Sequence, residues 1–217
     1  MKTTFAKIPD ALEASLKRQR PFLCPELELW LMDPESPLHR ATNPDPLGMP
    51  YWAFAWPGGQ VLARYVLDHP EVVRGRRVLD FASGCAIEGL AALKAGASSV
   101  LCADIDPLAA TAARRNAELL GLPLETTTDD LIGTTIDADV ILAGDACYEP
   151  ALAARVRQWL ARQRAVVLIG DPLRVPGIDD GLERVATYDA SFDGDPRGLT
   201  TWKTHVLRAV PFADPAR

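Results

Sequence analysis

Residues 78–96 read VLDFASGCAIEGLAALKAG. An apolar run ends at Asp80, passes through the small-residue loop Ala82-Ser83-Gly84-Cys85-Ala86, and enters an alanine-rich segment. That order predicts a buried strand, a tight turn and a helix. The same alternation continues to residue 171. The chain reads as a helix over Gln60–Asp68, strand 77–82, helix Ile87–Ala95, strand 99–104 and helix Pro107–Leu120. Strands at 124–128 and 139–145 follow, then a helix over Pro150–Arg162 and a strand at 165–171. Pro107 and Pro150 fall in first helical turns, where a missing N–H leaves nothing unbonded. Asp106 and Glu149 precede them as expected caps. Short apolar strands alternating with helices predict an α/β fold with a mostly parallel sheet covered on both faces. ERVATYDASF (183–192) and LTTWKTHVLRAV (199–210) lack an intervening helix and read as an antiparallel hairpin at one sheet edge.

The N-terminal part differs. Its first twenty residues read as a terminal helix, and Glu26–Met32 (ELELWLM) as a short exposed strand. The proline-rich stretch from 33 to 50 reads as loop. Residues 1–58 are therefore expected to form an extension packed on a single domain at 59–217. The 217 residues, 48% of them hydrophobic, suffice for one good core. A net charge of −6 argues against a nucleic-acid partner bound by phosphate neutralisation. There is no signal-like or membrane-spanning apolar run. The scattered Cys24, Cys85, Cys102 and Cys147 have no metal spacing and read as free thiols of a cytoplasmic protein. His39, His69 and His205 belong to no acid–base set and read as surface or packing residues.

In open α/β sheets, ligands bind beyond the carboxyl ends of the strands. Those ends carry Asp80, Asp104, Asp129-Asp130, Asp145 and Asp171, so one rim gathers acids. A dinucleotide loop requires GxGxxG, and the equivalent positions here are Ala82, Gly84 and Ile87. Asp80 would also repel a pyrophosphate. A ligand with an amino group and a sulfonium centre tolerates that charge, and Asp104 lies about twenty residues past Gly84, where a ribose diol is held. S-adenosylmethionine satisfies both conditions.

The segments DFASGCA (80–86), ADIDP (103–107) and GDACY (144–148) resemble the seven-strand class I methyltransferases. GDACY is similar to the (D/E)xx(Y/F) signature of a subgroup rich in protein lysine methyltransferases. WAFAWPGG (52–59), IGDPLR (169–174) and GLTTW (198–202) resemble the electron-transfer-flavoprotein β-subunit lysine methyltransferases. The resemblance implies a Rossmann-like seven-stranded sheet with an antiparallel C-terminal hairpin, the cofactor S-adenosylmethionine and a protein-lysine acceptor on the flavoprotein β subunit. It implies that Asp80 and Gly84 flank the methionine moiety, that Asp104 holds the ribose, and that Ala82 and Ile105 also contact the cofactor. Asp129 or Asp130 meets the adenine amine, and Trp52 and Trp56 wall the cofactor pocket and acceptor channel. Asp145 and Tyr148 lie at methyl transfer, with Asp145 positioning the acceptor amine. Asp171, Asp193 and Asp195 add to an acidic docking rim. Ala82 and Ala86 stand where the family usually carries glycine, which narrows the loop. Pro57-Gly58-Gly59 reads as a helix stop that leaves the tryptophans in a rim loop.

Overall fold

The quoted stretch folds as a strand at Arg77–Phe81, a loop, and a helix at Ile87–Lys94. In the computed structural model, which describes residues 2–40, 49–191 and 201–209, this unit sits at the middle of a seven-stranded sheet. In chain order the strands are β1 (Leu16–Gln19), β2 (Leu29–Met32), β3 (Arg77–Phe81), β4 (Ser99–Ala103), β5 (Glu125–Thr127), β6 (Val140–Gly144), β7 (Val166–Asp171), β8 (Leu182–Ser191) and β9 (Thr201–Ala209). The helices are α1 (Asp10–Glu13), α2 (Pro37–Arg40), α3 (Pro57–Asp68), α4 (Ile87–Lys94), α5 (Pro107–Leu120) and α6 (Pro150–Leu160). The large sheet has the order β5-β4-β3-β6-β7-β9-β8. Strands β3 to β7 run parallel, and β9 pairs antiparallel with both β7 and β8. The seven-stranded α/β expectation and the C-terminal hairpin are both met. Parallel growth goes one way from β3 through β4 to β5, then returns to β6, so a topological switch point opens beside β3.

Period-2 alternation divides the sheet between two cores. Val78, Val100, Val140, Leu142 and Leu168 face α3 and α4, packing on Val61, Leu62, Leu90 and Ala91. Leu79, Ile141, Val167 and Ile169 face the other way, toward Val156, Trp159 and Leu160 of α6. Asp106 caps α5 by accepting the Leu108 N–H at 2.8 Å, and Gly121 ends it in the left-handed conformation. Glu149 occupies the equivalent place before α6, but its side chain makes no capping bond. The four cysteines are buried and none forms a disulfide. Among the described residues, no helix is long and apolar enough to cross a membrane.

Three local expectations are corrected. The N-terminal twenty residues contain one helical turn, α1, and then β1, because Leu16–Gln19 pairs with Leu29–Met32 in an antiparallel ribbon. The second strand of that ribbon is not exposed. Leu29, Leu31 and Met32 are buried, and the Trp30 N–H donates to Asn116 Oδ1 of α5 at 2.7 Å. Pro57-Gly58-Gly59 starts α3 rather than stopping a helix, so the expected boundary at 58/59 falls inside that helix. The reason is a close approach that only glycine permits. A Cβ on Gly58 would lie 2.2 Å from Gly170 O, and one on Gly144 would lie 2.7 Å from Gly59 Cα. Backbone thus meets backbone where α3 rests on β6 and β7.

Candidate active site

The loops beyond β3, β4, β5, β6 and β7 enclose a cavity of about 640 Å³, within the usual range of small-molecule sites. Of the sequence-derived candidates, Trp52, Trp56, Ala82, Gly84, Asp104, Ile105, Asp129, Asp130, Asp145 and Tyr148 all line it. Asp80 does not. It is fully buried on the same sheet face as Val78, where its Oδ2 accepts the Gly89 N–H at 2.8 Å beneath α4. A direct contact between Asp80 and a ligand tail is therefore corrected to support of the loop from below. Burial, and then the nearby Asp104 charge, raise its pKa against the Gly89 and Cys102 hydrogen bonds. Ala86 is likewise buried and away from the cavity, so it does not crowd a ligand; Ala82 does line the wall. Both alanines adopt positive φ, 57° and 63°, the backbone state that glycine adopts without strain.

Two ends of the cavity differ in character. At the β4–β5 end, Asp104 Oδ2 accepts the Gly84 N–H and its Oδ1 accepts the Asp106 N–H, both at 3.0 Å. These bonds tie the glycine loop to the second strand's acid and leave further lone pairs on the carboxylate. Ile105 projects beside it, 72% exposed, with Leu131 and Ile132 opposite. Asp129 also lines this end, and its Oδ2 accepts the Lys2 N–H at 2.9 Å. At the β6–β7 end stands an aromatic wall. Tyr51 and Tyr148 stack with centroids 5.8 Å apart, Trp56 lies 5.8 Å from Tyr51, and the Trp56 indole donates to Tyr51 O at 2.9 Å. Trp52 closes the floor, buried against Ala109 and Ala112 of α5.

Asp145 is the hub of this second end. Its φ of 49° turns the chain sharply off β6. Oδ2 accepts the Gly58 N–H and, at 3.3 Å, that of Gly59, the first amides of α3 and hence its positive end. Oδ1 accepts Nη1 of Arg174 at 2.7 Å. Each Asp145 oxygen thus already accepts from the protein, Oδ2 from the start of α3 and Oδ1 from Arg174, so an acceptor amine would share this carboxylate with Arg174. Burial raises the Asp145 pKa while Arg174 and the two amides oppose the rise. Glu88 and Asp171 are buried nearby, each with one oxygen lacking a hydrogen-bond partner, and burial raises both pKa values, that of Asp171 to about 6. Asp193 and Asp195 lie outside the described residues.

Sequence reasoning missed Tyr51, Arg155 and Arg174, which also line the cavity. Arg174 had a legible signal, for it stands three residues after the acid ending β7, within IGDPLR. His205 is a packing residue, bonded through Nδ1 to Thr187 Oγ1 at 2.9 Å.

Known proteins agree with this geometry. The family described as ribosomal protein L11 methyltransferase (PrmA) matches residues 61–144. The structure of the ribosomal protein L11 methylase from Lactobacillus delbrueckii subsp. bulgaricus superposes with a TM-score of 0.53 at 24% identity, covering 70% of this chain and 79% of that one. Fold and rim cavity are those of the seven-stranded methyltransferase fold. Over 170 residues the chain is 46% identical to the electron transfer flavoprotein beta subunit lysine methyltransferase of Danio rerio, covering 75% of this chain and 66% of that protein. To the protein of the same description from Homo sapiens it is 40% identical over 192 residues, covering 82% and 73%. The chain belongs to this family. Its matched stretch spans just under two thirds of the Danio rerio relative's length.

The residues present fit S-adenosylmethionine. A turn of small residues brings the Gly84 backbone to the cavity, Asp104 keeps lone pairs for a diol, and apolar side chains flank a flat slot. Asp104, Asp106, Asp129 and Asp130 crowd the same end, which disfavours a phosphate there.

Proposed function

We propose that this protein transfers a methyl group to a lysine amine of an electron transfer flavoprotein β subunit. The observation that carries the reading is one cavity with two ends: an acidic, glycine-looped end for the cofactor and an aromatic end closed by Asp145 and Tyr148. Bound S-adenosylmethionine supplies an electrophilic methyl on sulfur. Asp104, with Ile105, is assigned to the ribose; Asp129 or Asp130 to the adenine amine; Ala82 and Gly84 to the methionine tail. Trp56, Tyr51 and Tyr148 wall the acceptor channel and exclude water, and exclusion with alignment is most of what an in-line displacement requires. Asp145 acts as a positioning residue: it pins the first turn of α3 and the Arg174 guanidinium, and so fixes the channel walls.

The family membership supports the acceptor, together with the resemblance of WAFAWPGG and IGDPLR, which shape the aromatic end. The match to the ribosomal-protein methyltransferase family covers only 61–144, the cofactor half, and so speaks for the donor site rather than the acceptor. A surplus of acids suits a locally basic docking surface. Buried cysteines that form no disulfide suit a reducing compartment such as the cytoplasm, which we propose as its location. The test is incubation with labelled cofactor and purified, unmethylated flavoprotein, followed by mass spectrometry. Methyl-lysine on the β subunit is expected. Labelling of a ribosomal protein or small amine in its place would move the acceptor assignment.

A further inference from the structure

Arg174 enters the acceptor end of the cavity from the loop after β7. Its direction is set by Leu173, whose φ is 61°, and by Asp171, whose Oδ1 accepts the Leu173 N–H at 2.6 Å. The guanidinium then has two partners: Asp145 Oδ1 at 2.7 Å and the ring of Trp202 on β9, 5.3 Å from the guanidinium carbon. Its side chain is 27% exposed and that of Asp145 10%, so the pair is shielded yet reaches the cavity wall. The other charged or titratable groups facing this end are Asp171 from β7, Glu88 from α4, Arg155 from α6, Tyr51 ahead of α3, and Cys147 and Tyr148 beyond β6. Asp104, Asp106, Asp129 and Asp130 stand toward the opposite end. A cation therefore stands where an incoming ammonium would seek its carboxylate.

We propose that Arg174 is a positioning and selecting residue that admits the acceptor lysine as a neutral amine. The inference rests on the lysine-transfer reading above. An ammonium has no free lone pair for the new N–CH₃ bond, so one proton must leave for solvent before attack. The sulfur–methyl bond then breaks, its electron pair stays on sulfur, and the methylated ammonium sheds a second proton to water. A fixed positive charge beside the amine disfavours its protonated form and lowers its pKa from about 10.4. Arg174 also offsets the charge of Asp145 through their ion pair, so that carboxylate holds an ammonium less tightly. A desolvating aromatic wall acts in the same direction. Without Arg174, Asp145 becomes an ammonium trap: the acceptor binds well and reacts poorly.

The experiment is a set of pH–rate profiles for wild type, Arg174→Gln and Arg174→Lys, using the flavoprotein acceptor. Labelled methyl incorporation is followed from pH 6 to 10, and cofactor affinity is checked by calorimetry. For Arg174→Gln the acidic limb of kcat should move up by about one pH unit or more. Turnover at pH 7 should fall about tenfold and recover toward pH 10, while the acceptor KM stays level or drops. Lysine at 174 should restore the wild-type limb, since charge is the operative property. Arg174→Leu provides a second neutral side chain if the glutamine variant melts below the assay temperature. A uniform loss at every pH, an unmoved limb, or a lysine variant that behaves like glutamine would overturn the proposal while leaving the transfer activity standing. Absence of transfer by the wild type at any pH would instead remove the reading beneath it.

Discussion

Replacing Ala82 by glycine should make this protein more stable, and replacing Ala86 should not. Both residues hold left-handed φ, which costs an L-residue about 1–2 kcal/mol. Glycine relieves that strain but adds backbone freedom to the unfolded chain, worth about 0.5–1 kcal/mol. Ala82 is exposed, so its methyl contributes little packing. The balance for Ala82→Gly is a gain of roughly 0–1.5 kcal/mol. Ala86 is fully buried against the α3–α4 core, and losing its methyl forfeits about 0.8 kcal/mol more. Its balance lies near zero. For a chain of this size each kcal/mol moves Tm by about 2–4 °C, so Ala82→Gly should raise Tm by up to about 6 °C. Thermal melting by circular dichroism reads the difference directly. A lower Tm for Ala82→Gly, or a larger gain at Ala86 than at Ala82, would show that backbone strain is not what distinguishes this loop.

Asp104→Ala should weaken S-adenosylmethionine binding at least tenfold by calorimetry in a folded protein, as charge-assisted bonds are worth about 1.5–3 kcal/mol; unchanged affinity would remove Asp104 from the site. Gly58→Ala should lower stability by about 1–3 kcal/mol in denaturant melts, because its Cβ would fall 2.2 Å from Gly170 O and the helix must shift. Asp171 has its pKa raised to about 6 by burial and then by the Asp145 charge, so the folded protein binds its proton more tightly than the unfolded chain. Stability from this group is present below about pH 4 and is lost as pH rises to about 6. Asp171→Asn, which keeps an oxygen for the Leu173 N–H, should abolish that decline, gaining on the order of 2 kcal/mol over wild type at pH 7.5 relative to pH 4. Parallel pH dependences of the two proteins would count against a buried, protonated Asp171.

The parallel sheet was legible because four of its five parallel strands are short apolar runs that contain or are followed by an acid, β5 being polar, and Pro107 and Pro150 mark helix starts that local chemistry alone dictates. Asp104 could be placed for the same reason. What escaped depends on contacts distant in sequence. Leu16–Gln19 is a polar run that becomes a strand only through its pairing with Leu29–Met32. Gly58 looks like a breaker until Gly144 and Gly170 are seen beneath it. Asp80 ends a strand as expected, yet the alternation that turns Val78 toward α4 turns Asp80 the same way, and no rim acid results. Arg174 is one basic residue among many until the loop after β7 folds it against Asp145.

Where α3 touches β6 and β7, glycines 58, 144 and 170 let backbone meet backbone. The aromatic strap Tyr51–Trp56 runs straight into that helix, so its anchorage is independent of which aromatic residues it displays. An engineer seeking other acceptors could therefore vary residues 51 and 56, which line the channel, while treating 58, 144, 170 and Arg174 as immovable. Recognition and framework are separable in this site, and a library built on that division would search acceptor shape without losing the chassis.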